Sequence, residues 1–119
     1  MVSLMSFRNA WKGLKAVLSR ERNARFHVLM AIFVTISSVL LNVGLAQFAL
    51  LIGMITLVFF AEVVNTAIER TLDLIVTENN QVVKLVKDMM AGAVMITAAG
   101  AVLVGLCVFI PAILTVLAR

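Results

Sequence analysis

The sequence predicts an all-α integral membrane protein: an amphipathic surface helix at the N-terminus, then three transmembrane helices. Three observations predict it. The 119-residue chain is 63% hydrophobic and only 13% charged, where soluble domains carry about 45–50% apolar and about 25% charged residues. Asp, Glu, Lys and Arg are absent from Phe26 to Ala61 and again from Met89 to Ala118, and a bilayer span needs roughly 20 apolar residues. Six of the ten cations (Arg8, Lys12, Lys15, Arg20, Arg22 and Arg25) precede the first of these runs. Such an excess belongs on the cytoplasmic side, near anionic headgroups.

The length accommodates a single domain over 1–119. A mean hydropathy of +1.13 excludes a disordered chain and a soluble globular enzyme, and a nucleic-acid binder despite the isoelectric point near 10.0. Cys107 is the one cysteine, so no intrachain disulfide forms. A cleaved signal peptide is not expected, because the basic segment is too long and the apolar run after it outgrows an h-region.

The surface helix is expected over about 4–20. Leu4, Phe7, Trp11, Leu14 and Leu18 recur at helical spacing on one face, with Arg8, Asn9, Lys12, Lys15 and Ser19 on the rest. Trp11 is its expected interfacial anchor.

The run from Phe26 to Ala61 has 36 residues. As one helix it would reach roughly 54 Å, against a hydrocarbon core of about 30 Å. Asn42, Gly44 and Gln47 supply a break, which gives a first span near 27–42 and a second near 46–76. The turn carries no charge, which suits the non-cytoplasmic side. Thr77-Glu78-Asn79-Asn80-Gln81 reads as a polar loop, and the third span is expected near 84–115. Ala93, Thr97, Ala101 and Gly105 form a small-residue stripe on it, suited to close helix packing and oligomerisation.

The chemistry is concentrated on the second span. At 100° per residue, Glu62, Asn65, Glu69 and Asp73 fall within a stripe about 80° wide that climbs roughly 16 Å. Three carboxylates on one face repel each other and need cations: a metal, Lys87, or the arginines of the first segment. Lys84 and Asp88 have the spacing of an i,i+4 ion pair, as do Glu21 and Arg25. His27 stands where it would cap the membrane interface. Carboxylates with a lysine and an amide suit phosphoryl transfer: magnesium takes one or two carboxylates plus phosphate oxygens, lysine offsets developing negative charge, and a carboxylate can accept a hydroxyl proton. The chain has no Walker motif. The alternative function is a small proton-coupled multidrug transporter, whose carboxylate should lie near the bilayer midplane. A structural subunit would leave the stripe unexplained.

The stretch Ala61-Glu62-Val63-Val64-Asn65-Thr66-Ala67-Ile68-Glu69-Arg70-Thr71-Leu72-Asp73, followed by Lys87-Asp88-Met89-Met90-Ala91-Gly92-Ala93-Val94, resembles the prokaryotic diacylglycerol kinase family, which includes the undecaprenol kinases. Trp11-Lys12-Gly13-Leu14 and Glu21-Arg22-Asn23-Ala24-Arg25 match it too. The resemblance covers nearly the whole chain. It implies a homotrimeric kinase of the inner (cytoplasmic) membrane of a prokaryote, N-terminus cytoplasmic, with sites shared between subunits. Such a kinase acts in lipid metabolism and moves the γ-phosphate of MgATP to a lipid alcohol, diacylglycerol or undecaprenol. It implies further that Glu62 is the general base, that Glu21 and Glu69 hold Mg2+ and nucleotide, and that Lys87 and Asp88 contact phosphate and nucleotide. Glu78, Asn79 and Asn80 correspond to the nucleotide loop, Trp11 and Arg25 to the segment that shelters the lipid, and Asn65 and Asp73 to supporting members of the polar cluster. The chain departs from the family at Asn80-Gln81, where many members read His-Pro, and at His27, where some diacylglycerol kinases carry glutamate. The Glu-Arg-Asn segment and Ala-Gly-Ala-Val are more similar to the undecaprenol kinase branch.

Overall fold

The computed structural model describes residues 3–119 as four helices: α1 (Leu4–Arg20), α2 (Arg22–Leu40), α3 (Leu45–Ile75) and α4 (Gln81–Leu117). No strand occurs among the described residues. By length and composition α2, α3 and α4 can each cross a membrane.

Local chemistry sets the boundaries. Ser3 caps α1, its side chain accepting a hydrogen bond from the Ser6 amide at 3.2 Å, which satisfies one of the orphan N–H groups at a helix start. A single extended residue, Glu21, separates α1 from α2 (φ −107°, ψ 117°). The first membrane helix therefore begins at Arg22, before the apolar run starts. Its α2–α3 turn uses Asn42 at φ 55°, a left-handed conformation that Asn tolerates better than most residues. Gly44 caps α3 with an ordinary φ of −62°. A Cβ there would overlap the flexible end of the Gln47 side chain, which would have to move aside. Gln47 thus belongs to α3 and packs back on the turn. Asn80 caps α4, accepting from the Val82 and Val83 amides at 2.8 and 3.2 Å, so this helix starts three residues before the expected span. Pro111 lies inside α4, where its missing N–H leaves one carbonyl of the preceding turn without its helical donor.

α3 is the central element, packing against α4, α2 and, at one end, α1. Gly100 marks the close approach of α4 to α3: a Cβ there would meet the Met54 methyl at 3.2 Å. The few buried residues include Leu51, Val58, Glu62 and Thr66 on α3, Ala24 and Ser38 on α2, and Val108 on α4. Most large apolar side chains face outward, as expected where the surrounding medium is lipid. No residue of α1 is buried, and Leu4, Phe7 and Trp11 are exposed.

Candidate functional site at the α1 end of the bundle

The polar stripe of α3 runs along the half of the helix that faces α1 and the start of α4. Glu62 is the innermost charge, with only 2% of its surface exposed. Its Oε2 lies 3.7 Å from Nε2 of His27 on α2. One turn on, the Thr66 hydroxyl donates to the Glu62 main-chain carbonyl at 3.0 Å. That bond keeps the hydroxyl off the Glu62 carboxylate. The Asn65 side-chain oxygen is buried and has no hydrogen-bond partner.

Two polar clefts flank the outer part of the stripe. One, of about 470 Å³, is lined by Arg20, Glu21, Glu69, Arg70, Asp73 and Leu74. Arg70 Nη2 reaches Glu21 Oε1 across it at 3.3 Å. The other, of about 480 Å³, is bounded by Asp73, Glu78, Asn79, Asn80, Lys84 and Lys87, among others. Asp73 borders both clefts, and its carboxylate accepts a hydrogen bond from Lys87 Nζ at 2.6 Å. One polar trough therefore extends from the α1–α2 break to the α3–α4 loop.

Glu21, Glu69, Asp73, Glu78, Asn79, Asn80 and Lys87 border this trough, whereas Glu62 and Asn65, earlier on α3, line neither cleft. Four residues sit differently from expectation. The Asn80 side chain is engaged in capping α4. Asp88 lies outside both clefts and pairs with Lys84 at 2.9 Å, as the i,i+4 spacing expects. Arg25 does not pair with Glu21. Its Nη1 donates to the Leu18 and Ser19 carbonyls at 3.1 and 3.0 Å, because these end-of-helix acceptors lie beside it once the chain turns at Glu21. Trp11 is on the outer side of α1, with Lys15 Nζ 5.9 Å from its ring centre. The arginine that reaches Glu21 belongs to α3, not to the first segment. Spacing missed both Arg70 and the facing of His27 toward Glu62. Arg70 was signalled by its place beside Glu69, and His27 by the antiparallel course of α2 and α3 about their short turn.

Among the described residues, no three His, Cys, Asp or Glu side chains gather to form a ready-made metal site. Of the three carboxylates on the first cleft, Asp73 is held by Lys87; the other two, Glu21 and Glu69, suit magnesium carried in with phosphate oxygens, since that ion needs only one or two protein carboxylates. An apolar groove of about 640 Å³ between α2 and α3 opens beside this region, running from Leu14 and His27 past Val63 and Phe60 to Ile36.

A family model described as prokaryotic diacylglycerol kinase matches residues 8–109. A diacylglycerol kinase of Synechocystis is 36% identical over 115 residues, which cover 96% of this chain and 66% of that protein. An undecaprenol kinase of Bacillus subtilis is 35% identical over 106 residues, 89% of this chain and 86% of the relative. A diacylglycerol kinase of Escherichia coli is 32% identical over 87 residues, 73% and 71% of the two chains.

Proposed function

The chain belongs to the prokaryotic diacylglycerol kinase family, and from that membership we propose that it is a lipid kinase transferring the γ-phosphate of MgATP to a membrane lipid alcohol, undecaprenol or diacylglycerol, at the cytoplasmic interface. The observation that carries the reading is the trough itself. The carboxylate stripe of α3 meets Lys87 and Glu21 at one end of three apolar helices, next to an apolar groove. A soluble acceptor would need no such groove. The family match also displaces the transporter reading.

In the proposed reaction Glu62 accepts the proton of the lipid hydroxyl as its oxygen bonds to the γ-phosphorus. The bond from that phosphorus to the bridging oxygen breaks, and ADP leaves. A carboxylate suits the proton transfer because it needs only to lie within hydrogen-bond reach of the hydroxyl. Lys87 offsets the charge of the moving phosphoryl group, while Asp73 holds its ammonium. Glu21 and Glu69 would hold Mg2+, which supplies charge neutralisation to the phosphates when bound. Glu78 and Asn79 flank the nucleotide, with Asn80 supporting that loop through α4 and Asp88 steadying Lys84. Asn65, whose side-chain oxygen is free, supports the cluster. Trp11 and Arg25 shelter the lipid, Arg25 by fastening the end of α1. The six N-terminal cations support an inner-membrane location with a cytoplasmic N-terminus. The open trough supports a homotrimer in which neighbours complete each site.

Phosphate transfer from labelled MgATP by purified protein in micelles tests this, with undecaprenol and diacylglycerol offered side by side. Transfer that disappears in Glu62→Gln is expected. A folded wild-type protein that transfers to neither lipid would refute the reading.

A further inference from the structure

We propose that His27 is a positioning residue for Glu62: its imidazole Nε2–H fixes Oε2 of the carboxylate and leaves Oε1 to take the proton of the lipid hydroxyl. The inference rests on the role of Glu62 given above and adds a residue to it. Glu62 is almost fully buried, and a buried carboxylate needs a partner. The other charged groups around it, Glu21 at the α1–α2 break and Glu69 on α3, carry its own sign. Among the described residues no side chain donates a hydrogen bond to its carboxylate, and His27 is its one ion-pair partner. The imidazole is itself held: 18% of its side chain is exposed, and the Phe26 ring meets it edge-on with centroids 5.8 Å apart. It also lines the apolar groove with Leu14 and Val63, and so stands between that groove and the Glu62 carboxylate. The separation of 3.7 Å is longer than a hydrogen bond, and contacts of this kind tighten when substrate completes the site. Nε2 carries a proton in the imidazolium and in one neutral tautomer, so the role does not require His27 to be charged.

The chain contains one histidine, which makes a direct test practical. Full-length protein with its tag removed is labelled with ¹⁵N-histidine in micelles. The imidazole spectrum should show Nε2 protonated in the wild type and should change in Glu62→Gln. In the transfer assay, His27→Leu should lower kcat about tenfold or more with the KM for MgATP unchanged. His27→Gln, whose amide keeps an N–H, should recover part of the loss. A wild-type spectrum with the proton on Nδ1 alone, or one indifferent to Glu62→Gln, overturns the proposal. So does full kcat in His27→Leu while the wild type transfers phosphate, an outcome that leaves the kinase reading intact. Absence of transfer by the wild type removes the kinase reading and this role together.

Discussion

Arg70 of α3 reaches Glu21, the single residue between α1 and α2, with Nη2 3.3 Å from Oε1. Both side chains are partly exposed, 46% and 29%, and such a pair contributes only about 0–1 kcal/mol to stability. As a brace it is weak. As a guanidinium on a proposed magnesium ligand it competes with the metal. Arg70→Gln should therefore leave thermal unfolding nearly unchanged and lower the magnesium concentration needed for half-maximal transfer. A large loss of melting temperature with an unaltered magnesium titration would assign the pair to folding.

Glu69 shares the same cleft and has no ion-pair partner among the described residues. Glu69→Gln keeps the shape and removes the charge. It should raise the magnesium requirement of transfer while the KM for lipid stays near the wild-type value. An unchanged magnesium titration would take Glu69 out of the metal-binding group.

Glu62→Gln separates chemistry from binding. In the proposed reaction it removes the base and no phosphate contact, so transfer should fall by about 10²–10⁴-fold. MgATP binding, measured by calorimetry on the same preparation, should survive. Loss of both together would place Glu62 in the nucleotide site.

If neighbouring subunits complete each site, Glu62→Gln and Lys87→Met proteins should complement. Co-refolded mixtures should recover part of the wild-type turnover that neither variant has alone. Mixed oligomers shown by differential tags to form, yet inactive, would confine each site to one chain.

Asn80 makes a purely structural prediction. Its side chain caps α4 through the Val82 and Val83 amides. Asn80→Ala should cost about 1 kcal/mol, read as faster hydrogen exchange at those two amides. Asn80→Asp should retain the protection, and equal exchange in both variants would deny the cap.

The fold class was legible because it rests on properties that a sequence displays directly. Two long uncharged runs in so short a chain leave no soluble solution, and the turn signals at Asn42 and Gly44 divide the first run at the place where the structure divides it. The α3 stripe was legible for the same reason. Residues on one helix keep fixed angles to each other whatever else the chain does, so Glu62, Asn65, Glu69 and Asp73 share a face by spacing alone. The ends of the helices were less legible. α2 begins at Arg22 and α4 at Gln81 because capping and a one-residue break decide helix ends, and hydropathy does not register either.

What the sequence by itself determined is therefore the membrane class, the helix count and the polar face of α3. Only the tertiary structure decided the partners of that face. Arg70 with Glu21, Lys87 with Asp73 and His27 beside Glu62 join different helices, and Arg25 fastens α1 instead of pairing with Glu21 as its spacing suggested. The physical reason is one of range. Spacing along a single helix fixes which side chains are neighbours within it, whereas contacts between helices depend on rotation and register, which are set by turns a few residues long and by close approaches such as Gly100 against Met54.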